Sequence, residues 1–181
     1  DAPNERGGTW NRDDVILFSP TYSSPLHRVR FSGGKSTPVT ELAKGETSHR
    51  WPTFLPDGHH YLYFVGTGGG RNGEIRVGSL DSKEAPTTVV ASESNGLYAD
   101  GRVVFVRGGN LMALPFNAGT RQPTADAFPV VAQVTVDTSA YAAFSVSTTG
   151  DLTYARGSRE RRLMWFEGDK SIGTVGDPGE Y

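Results

Sequence analysis

Four short apolar runs, each placed just after a turn-like polar pair, recur along this chain and narrow what it can fold into. Asp13-Asp14 precedes Val15-Ile16-Leu17-Phe18, and Asp57-Gly58 precedes Tyr61-Leu62-Tyr63-Phe64-Val65. Asp100-Gly101 precedes Val103-Val104-Phe105-Val106, and Gly150-Asp151 precedes Leu152-Thr153-Tyr154. The runs start at 15, 61, 103 and 152, so successive starts lie 46, 42 and 49 residues apart. A recurrence of about 40–50 residues is the sequence signature of an array of small supersecondary units.

Each unit carries the same succession of four strand-like pieces. The first holds an aromatic residue (Trp10, Phe54, Tyr98 and Phe144 in turn) and the second is the apolar run. The third covers Leu26 to Phe31, Ile75 to Leu80, Leu111 to Phe116 and Leu163 to Phe166. The fourth is more polar: Pro38 to Leu42, Thr87 to Ala91, Pro129 to Val134 and Ser171 to Val175. A strand covered on both faces reads as a continuous apolar run, whereas one facing water on one side alternates. Continuous second pieces and polar fourth pieces therefore predict small antiparallel sheets stacked face to face, with their last strands outermost. This is an all-β propeller of four blades with four strands each, divided at about 7–50, 51–95, 96–140 and 141–181. Gly 23 and Pro 11 together make 34 of 181 residues, which leaves little room for long helices.

Composition excludes several function classes. With Cys 0 there are no disulfides, thiolate metal sites or cysteine nucleophiles. A net charge of −2 with a pI near 6.1 argues against nucleic-acid binding driven by phosphate electrostatics. Apolar runs of four or five residues are too short for a membrane-spanning helix, so no direct membrane insertion is expected. The start Asp1-Ala2-Pro3-Asn4-Glu5-Arg6 does not read as a signal peptide and lacks an initiator Met, which suggests a piece of a longer protein.

The segment Glu46-Thr47-Ser48-His49-Arg50-Trp51-Pro52-Thr53-Phe54-Leu55-Pro56-Asp57-Gly58 resembles the repeat of TolB-like, WD-repeat-like bacterial β-propellers, where a Pro-Asp-Gly turn joins the first two strands of a blade. Gly8-Thr9-Trp10-Asn11, Val77-Gly78-Ser79-Leu80-Asp81, Leu111-Met112-Ala113-Leu114-Pro115-Phe116 and Ala143-Phe144-Ser145-Val146-Ser147 extend the likeness. Together they are similar to propeller regions that follow the kinase domain in bacterial serine/threonine kinases. The resemblance implies an extracytoplasmic sensor or interaction region, and no kinase motif lies in this chain. The first unit departs from the pattern with Asp13-Asp14, and the fourth reverses it to Gly150-Asp151. Such propellers usually have more than four blades, so an open arc, a small ring or a pairing of two copies all remain open. Exposed apolar blade faces would favour self-association.

Local chemistry points to binding more than to catalysis. Gly68-Gly69-Gly70-Arg71-Asn72-Gly73 satisfies G-x-G-x-x-G but leads into a strand, not the helix a dinucleotide phosphate requires. His27, His49, His59 and His60 lack metal-ligand spacing, and neither a cofactor nor a metal is expected. No G-x-S-x-G occurs. Asp13, Asp14, Glu46, Asp57 and Asp100 would line the first and second strands, where propeller glycosidases hold their acid pair, but aspartates in turns ordinarily bind their own backbone. Asp14, Asp57, Gly58, Asp100, Gly101 and Gly150 are accordingly read as turn residues. Arg156, Arg159, Arg161 and Arg162 form a basic cluster read as a solvated turn. The reading is a non-catalytic scaffold for a protein, small-molecule or glycan partner. Trp10, His49, Arg50, Trp51 and His60 are its candidate binding residues. The competing reading is an enzyme, either a glycosidase or lyase with carboxylates along the channel or the accessory propeller of a peptidase.

Overall fold

The computed structural model describes residues 2–68, 72–81, 84–156, 161–167 and 169–179, and among them there is no helix. The first sheet runs β1 (Gly8–Trp10), β2 (Val15–Phe18), β3 (His27–Arg30) and β4 (Thr37–Pro38), each antiparallel to the next. The second repeats that order with β5 (Glu46–Phe54), β6 (His60–Thr67), β7 (Gly73–Ser79) and β8 (Thr87–Ser92). In the third, β9 (Leu97–Ala99), β10 (Arg102–Arg107) and β11 (Asn110–Asn117) are followed by an outer strand in two pieces. These are β12 (Gln122–Pro123) and β13 (Phe128–Val131), both paired with β11. Pro38, Pro123 and Pro129 all lie on these outermost strands, where a missing N–H costs no ladder bond.

The continuous apolar runs separate, residue by residue, onto two faces. Tyr61, Tyr63 and Val65 of β6 cluster with Leu17 and Leu26 of the first sheet. Leu62, between them, turns the other way and joins Ile75 and Val77 against Val103, Phe105 and Met112 of the third sheet. In β10 the same division recurs: Val104 and Val106 join Leu111 with Val134, Val136, Ala142 and Phe144 from the fourth unit. Since side chains alternate along a strand, β6 and β10 are each buried on both faces by the neighbouring units, whereas β2 and β3 are only partly covered. That is the stacked-blade arrangement of a β-propeller.

Two features depart from the expected plan. Among the described residues the fourth unit does not form one four-stranded sheet: β14 (Phe144–Val146) pairs with β15 (Leu152–Tyr154), and β16 (Arg161–Glu167) pairs with β17 (Lys170–Gly179). Met164, Trp165 and Ile172 of the second pair are exposed, so it lacks the two-sided cover that joins the other sheets. The second departure lies in the divisions: β5 starts at Glu46, ahead of the one drawn at about 50, and the bridges Val134–Arg156 and Val136–Ala142 join residues 134–140 to the fourth unit, ahead of the one drawn at 140.

The first-to-second-strand turns share one backbone requirement. Asp14, Gly58, Gly101 and Gly150 have φ of 59°, 71°, 71° and 91°, and Asp100 also lies at 44°. In the first unit Asp14 occupies the left-handed position that glycine fills in the other units, a role Asp tolerates better than most residues. The reversed pair in the fourth unit has the same cause, since Gly150 holds the left-handed position and Asp151 follows it. Gly78 has a different reason for being glycine. It lies directly across from Tyr61 on β6, and a Cβ there would come within 2.6 Å of the tyrosine ring.

Gly78→Ala is expected to destabilise the protein by about 1–3 kcal/mol through overpacking. Gly101→Ala, whose Cβ would meet nothing within 4 Å, should cost only the ~1–2 kcal/mol of a left-handed alanine. Chemical denaturation of both variants against the parent chain measures the ranking.

Candidate functional site

Residues from three units meet around the backbone carbonyl of Ser139. Arg50 Nη1 donates to it at 3.0 Å and Trp51 Nε1 at 3.2 Å, across nearly ninety residues of chain. Arg50 Nη2 also donates to the Tyr22 carbonyl at 3.2 Å, in the β2–β3 loop of the first unit. In a radial stack, the second and fourth units can touch only where the innermost strands converge, so this cluster marks the axis. The Trp51 ring packs on Tyr141 at 4.8 Å, and its backbone N–H donates to the Arg6 carbonyl.

The backbone at this point is unusual. Trp51 has φ 54°, and the β5–β6 register shifts between Arg50 and Thr53. A bulge re-aims the side chains beside it, and a bulky residue in the left-handed region persists only where its surroundings hold it. Here the hold is visible: the indole N–H is bonded, the ring is covered by Tyr141, and Gly7 leaves room behind it. A Cβ on Gly7 would lie 2.7 Å from the ring.

Charge at the axis is unevenly matched. Burial pushes the Arg50 pKa down and the neighbouring Arg6 adds to this, while Asp137 acts the other way. Asp137 itself is lowered: burial alone would raise it, but hydrogen bonds from Ser139 and Tyr141 and the charge of Arg6 outweigh that. Arg6 Nε is buried without a hydrogen-bond partner.

His49 belongs elsewhere. It is buried between the first two sheets, with Nδ1 2.7 Å from Thr40 Oγ1 and Nε2 3.0 Å from Glu46 Oε2. A carboxylate only accepts, so Nε2 carries the proton and the Thr40 hydroxyl donates to Nδ1. Thr40 Oγ1 in turn accepts from the Leu26 N–H, and Glu46 Oε2 from the Ala43 N–H. Arg76 closes the chain by pairing with Glu46 and Glu74. Burial pushes the His49 pKa down in spite of Glu46. For Glu46, burial acts upward but is outweighed by Ala43, His49 and Arg76, so its pKa is lowered. The network needs neutral His49, because a protonated ring could no longer accept from Thr40.

The remaining sequence candidates lie apart from the axis. Trp10 is exposed and stacks on Phe31 at 5.1 Å. His60 Nδ1 meets Asp57 Oδ2 at 2.6 Å, and its Nε2 is 3.0 Å from both Glu84 Oε2 and Arg121 Nη1. Asp57 Oδ1 accepts from the backbone N–H groups of His59 and His60. Asp100 pairs with Arg102 at 2.6 Å, and Gly58 offers its carbonyl to Asn11 Nδ2 at 2.7 Å. Of the five binding candidates, the fold brings only Arg50 and Trp51 together. Gly69, Gly70, Arg71 and Arg159 lie outside the described residues. So do the side chains of Arg161 and Arg162, while Arg156 lies over the Tyr154 ring. Arg6, Asp137, Ser139 and Tyr141 were not legible as site residues, since no local motif marks contacts made across units. Among the described residues, no three His, Asp or Glu side chains gather closely enough to hold a metal ion.

Stability is expected to fall on acidification in two stages. Both groups bind fewer protons folded than unfolded, so His49 loses its contribution as pH drops below 6.5 and Glu46 below 4.5. Melting curves from pH 8 downward measure this, and His49→Gln should flatten the upper stage while leaving the lower one.

No protein-family model and no curated protein matches the chain. Among solved structures it is similar to regucalcin from Agrobacterium tumefaciens, which is described as a calcium-binding protein. The superposition has a TM-score of 0.61 at 18% identity and covers 97% of this chain and 61% of that one. The chain thus spans about three fifths of that protein, and the likeness shows a shared β-propeller fold.

Proposed function

We propose that this β-propeller is a binding scaffold with no catalysis of its own, and that its partner docks at the axial cluster of Arg6, Arg50, Trp51 and Tyr141. The left-handed backbone of Trp51 carries the reading. Holding a tryptophan at φ 54° costs about 1–3 kcal/mol, and such strain gathers at ligand clamps. Two guanidinium groups beside a single carboxylate leave a surplus positive charge next to two aromatic rings. That combination suits a partner presenting an acidic group beside a flat apolar or sugar face.

The carboxylates support binding over hydrolysis. A glycosidase acid needs a raised pKa. Among the described residues, every carboxylate with a clear shift is lowered: Glu46, Asp57, Glu84 and Asp137. For Asp57, burial acts upward and is outweighed by the N–H groups of His60 and His59 and by the His60 ring. For Glu84 the hydrogen bond from His60 is the main cause. In this reading the chain is the extracytoplasmic interaction region of a larger, kinase-linked bacterial protein, a setting supported by the Pro-Asp-Gly resemblance alone.

Trp51→Gly is the informative variant, because glycine adopts this backbone without strain. It should melt within a few degrees of the parent chain yet lose at least about tenfold in affinity for acidic glycans or peptides selected on an array. Unchanged binding would move the site away from the axis. A screen of polysaccharides and peptides should show no turnover, and turnover abolished by Asp57→Asn would overturn the binding reading.

A further inference from the structure

Between the first and second sheets, away from the axis, lies a cleft of about 510 Å³. Its size falls within the ~300–1,000 Å³ range of small-molecule sites. Tyr61 and Tyr63 line it side by side, as alternate residues on one face of β6. The Tyr63 hydroxyl is buried without a hydrogen-bond partner, in a residue that is only 1% exposed. A buried hydroxyl left without a partner is costly, so it calls for an explanation. The Arg76 guanidinium is close enough to Tyr63 to act on it by charge and as a weak donor, yet the contact does not reach hydrogen-bond geometry by distance and angle, and Arg76 is itself paired with Glu46 and Glu74. Burial pushes the Tyr63 pKa up to about 12 and moves Tyr61 upward as well. Both rings therefore remain O–H donors.

Among the described residues lining this wall, Arg28 of β3 is the cation with no carboxylate partner. Its charge reaches Tyr61, and its hydrogen bond is a long one, 3.4 Å to the Leu80 carbonyl. Val39 and Leu80 supply an apolar surface in the same cleft. Two further carboxylates, Glu41 and Glu84, line it and disfavour a ligand with more than one negative charge.

We propose that this cleft holds a small monocarboxylic acid, with its carboxylate on Arg28 and the hydroxyls of Tyr61 and Tyr63, and its apolar body on Val39 and Leu80. A guanidinium fork with flanking hydroxyl donors is matched to a carboxylate, and the ligand would satisfy the Tyr63 oxygen that the fold leaves alone. This site is separate from the axial one, and either can fail without the other.

Calorimetric titration of the chain with benzoate, isovalerate, benzyl alcohol, succinate and inorganic phosphate tests the proposal. Saturable binding of benzoate or isovalerate in the low millimolar range or tighter is expected, with benzyl alcohol, succinate and phosphate each about tenfold weaker or worse. Arg28→Met, a change at an exposed position, should weaken the monocarboxylate about tenfold, as should the double change Tyr61→Phe with Tyr63→Phe. Trp51→Gly should leave it unaltered. Equal binding of benzoate and benzyl alcohol, indifference to Arg28→Met, or no saturable binding of either monocarboxylate would overturn the proposal.

Discussion

The first three sheets depend on their neighbours, because β6 and β10 carry apolar side chains on both faces. A single antiparallel sheet can bury only one face against itself or a partner, so β6 or β10 alone would leave a row of large side chains in water. Phe105 and Leu62 need each other across the second and third sheets, as Tyr61 and Leu17 do across the first and second. The stack therefore stands or falls by its interfaces more than by any one sheet's hydrogen bonds. Where that two-sided burial stops, in β16 and β17, the strands pair with each other among the described residues and large apolar side chains meet solvent.

Polar groups perform a second, more directional task between the same layers. The run from Leu26 N–H through Thr40, His49 and Glu46 to Arg76 links the first sheet, the connection after it and the second sheet, with each donor matched to an acceptor. Such a network adds geometric definition that apolar packing lacks, since hydrogen bonds tolerate little displacement. It places β5, and so the bulge at Trp51, in one position relative to the first unit. The axial cluster is built on that placement: the Arg6 carbonyl holds Trp51 from one side and the Ser139 carbonyl holds its indole from the other. The fold thus holds a tryptophan in left-handed backbone where side chains and carbonyls of three units meet.

Particular residues show how far a sequence reading reaches. The turn positions were legible because left-handed backbone selects a small set of residue types, and Asp14 and Gly150 satisfy it despite their irregular pairing. The covered middle strands were legible from their unbroken apolar runs. His49 was read as a binding residue beside Trp51, and plain alternation would put residues two apart on one face, but the bulge after Arg50 breaks that alternation and leaves His49 buried between the sheets. His60 and Trp10 were likewise placed by proximity to a turn or strand end, which does not say which face they join. The fourth unit had the spacing of a full sheet, but spacing cannot report whether β15 and β16 exchange hydrogen bonds.

By itself the sequence determined the all-β character, the recurring module, the two-sided burial of β6 and β10 and the left-handed turns. Each follows from local rules: residue preference for a backbone region, and the alternation of side chains along a strand. Tertiary structure alone decided that Arg6, Arg50, Trp51 and Tyr141 share an axis, that His49 is committed to Glu46 and Thr40, and that Tyr61, Tyr63 and Arg28 wall one cleft. Those groupings join residues tens of positions apart. They depend on the angle and depth at which one sheet leans on the next, a property of packed surfaces that no short window of sequence encodes.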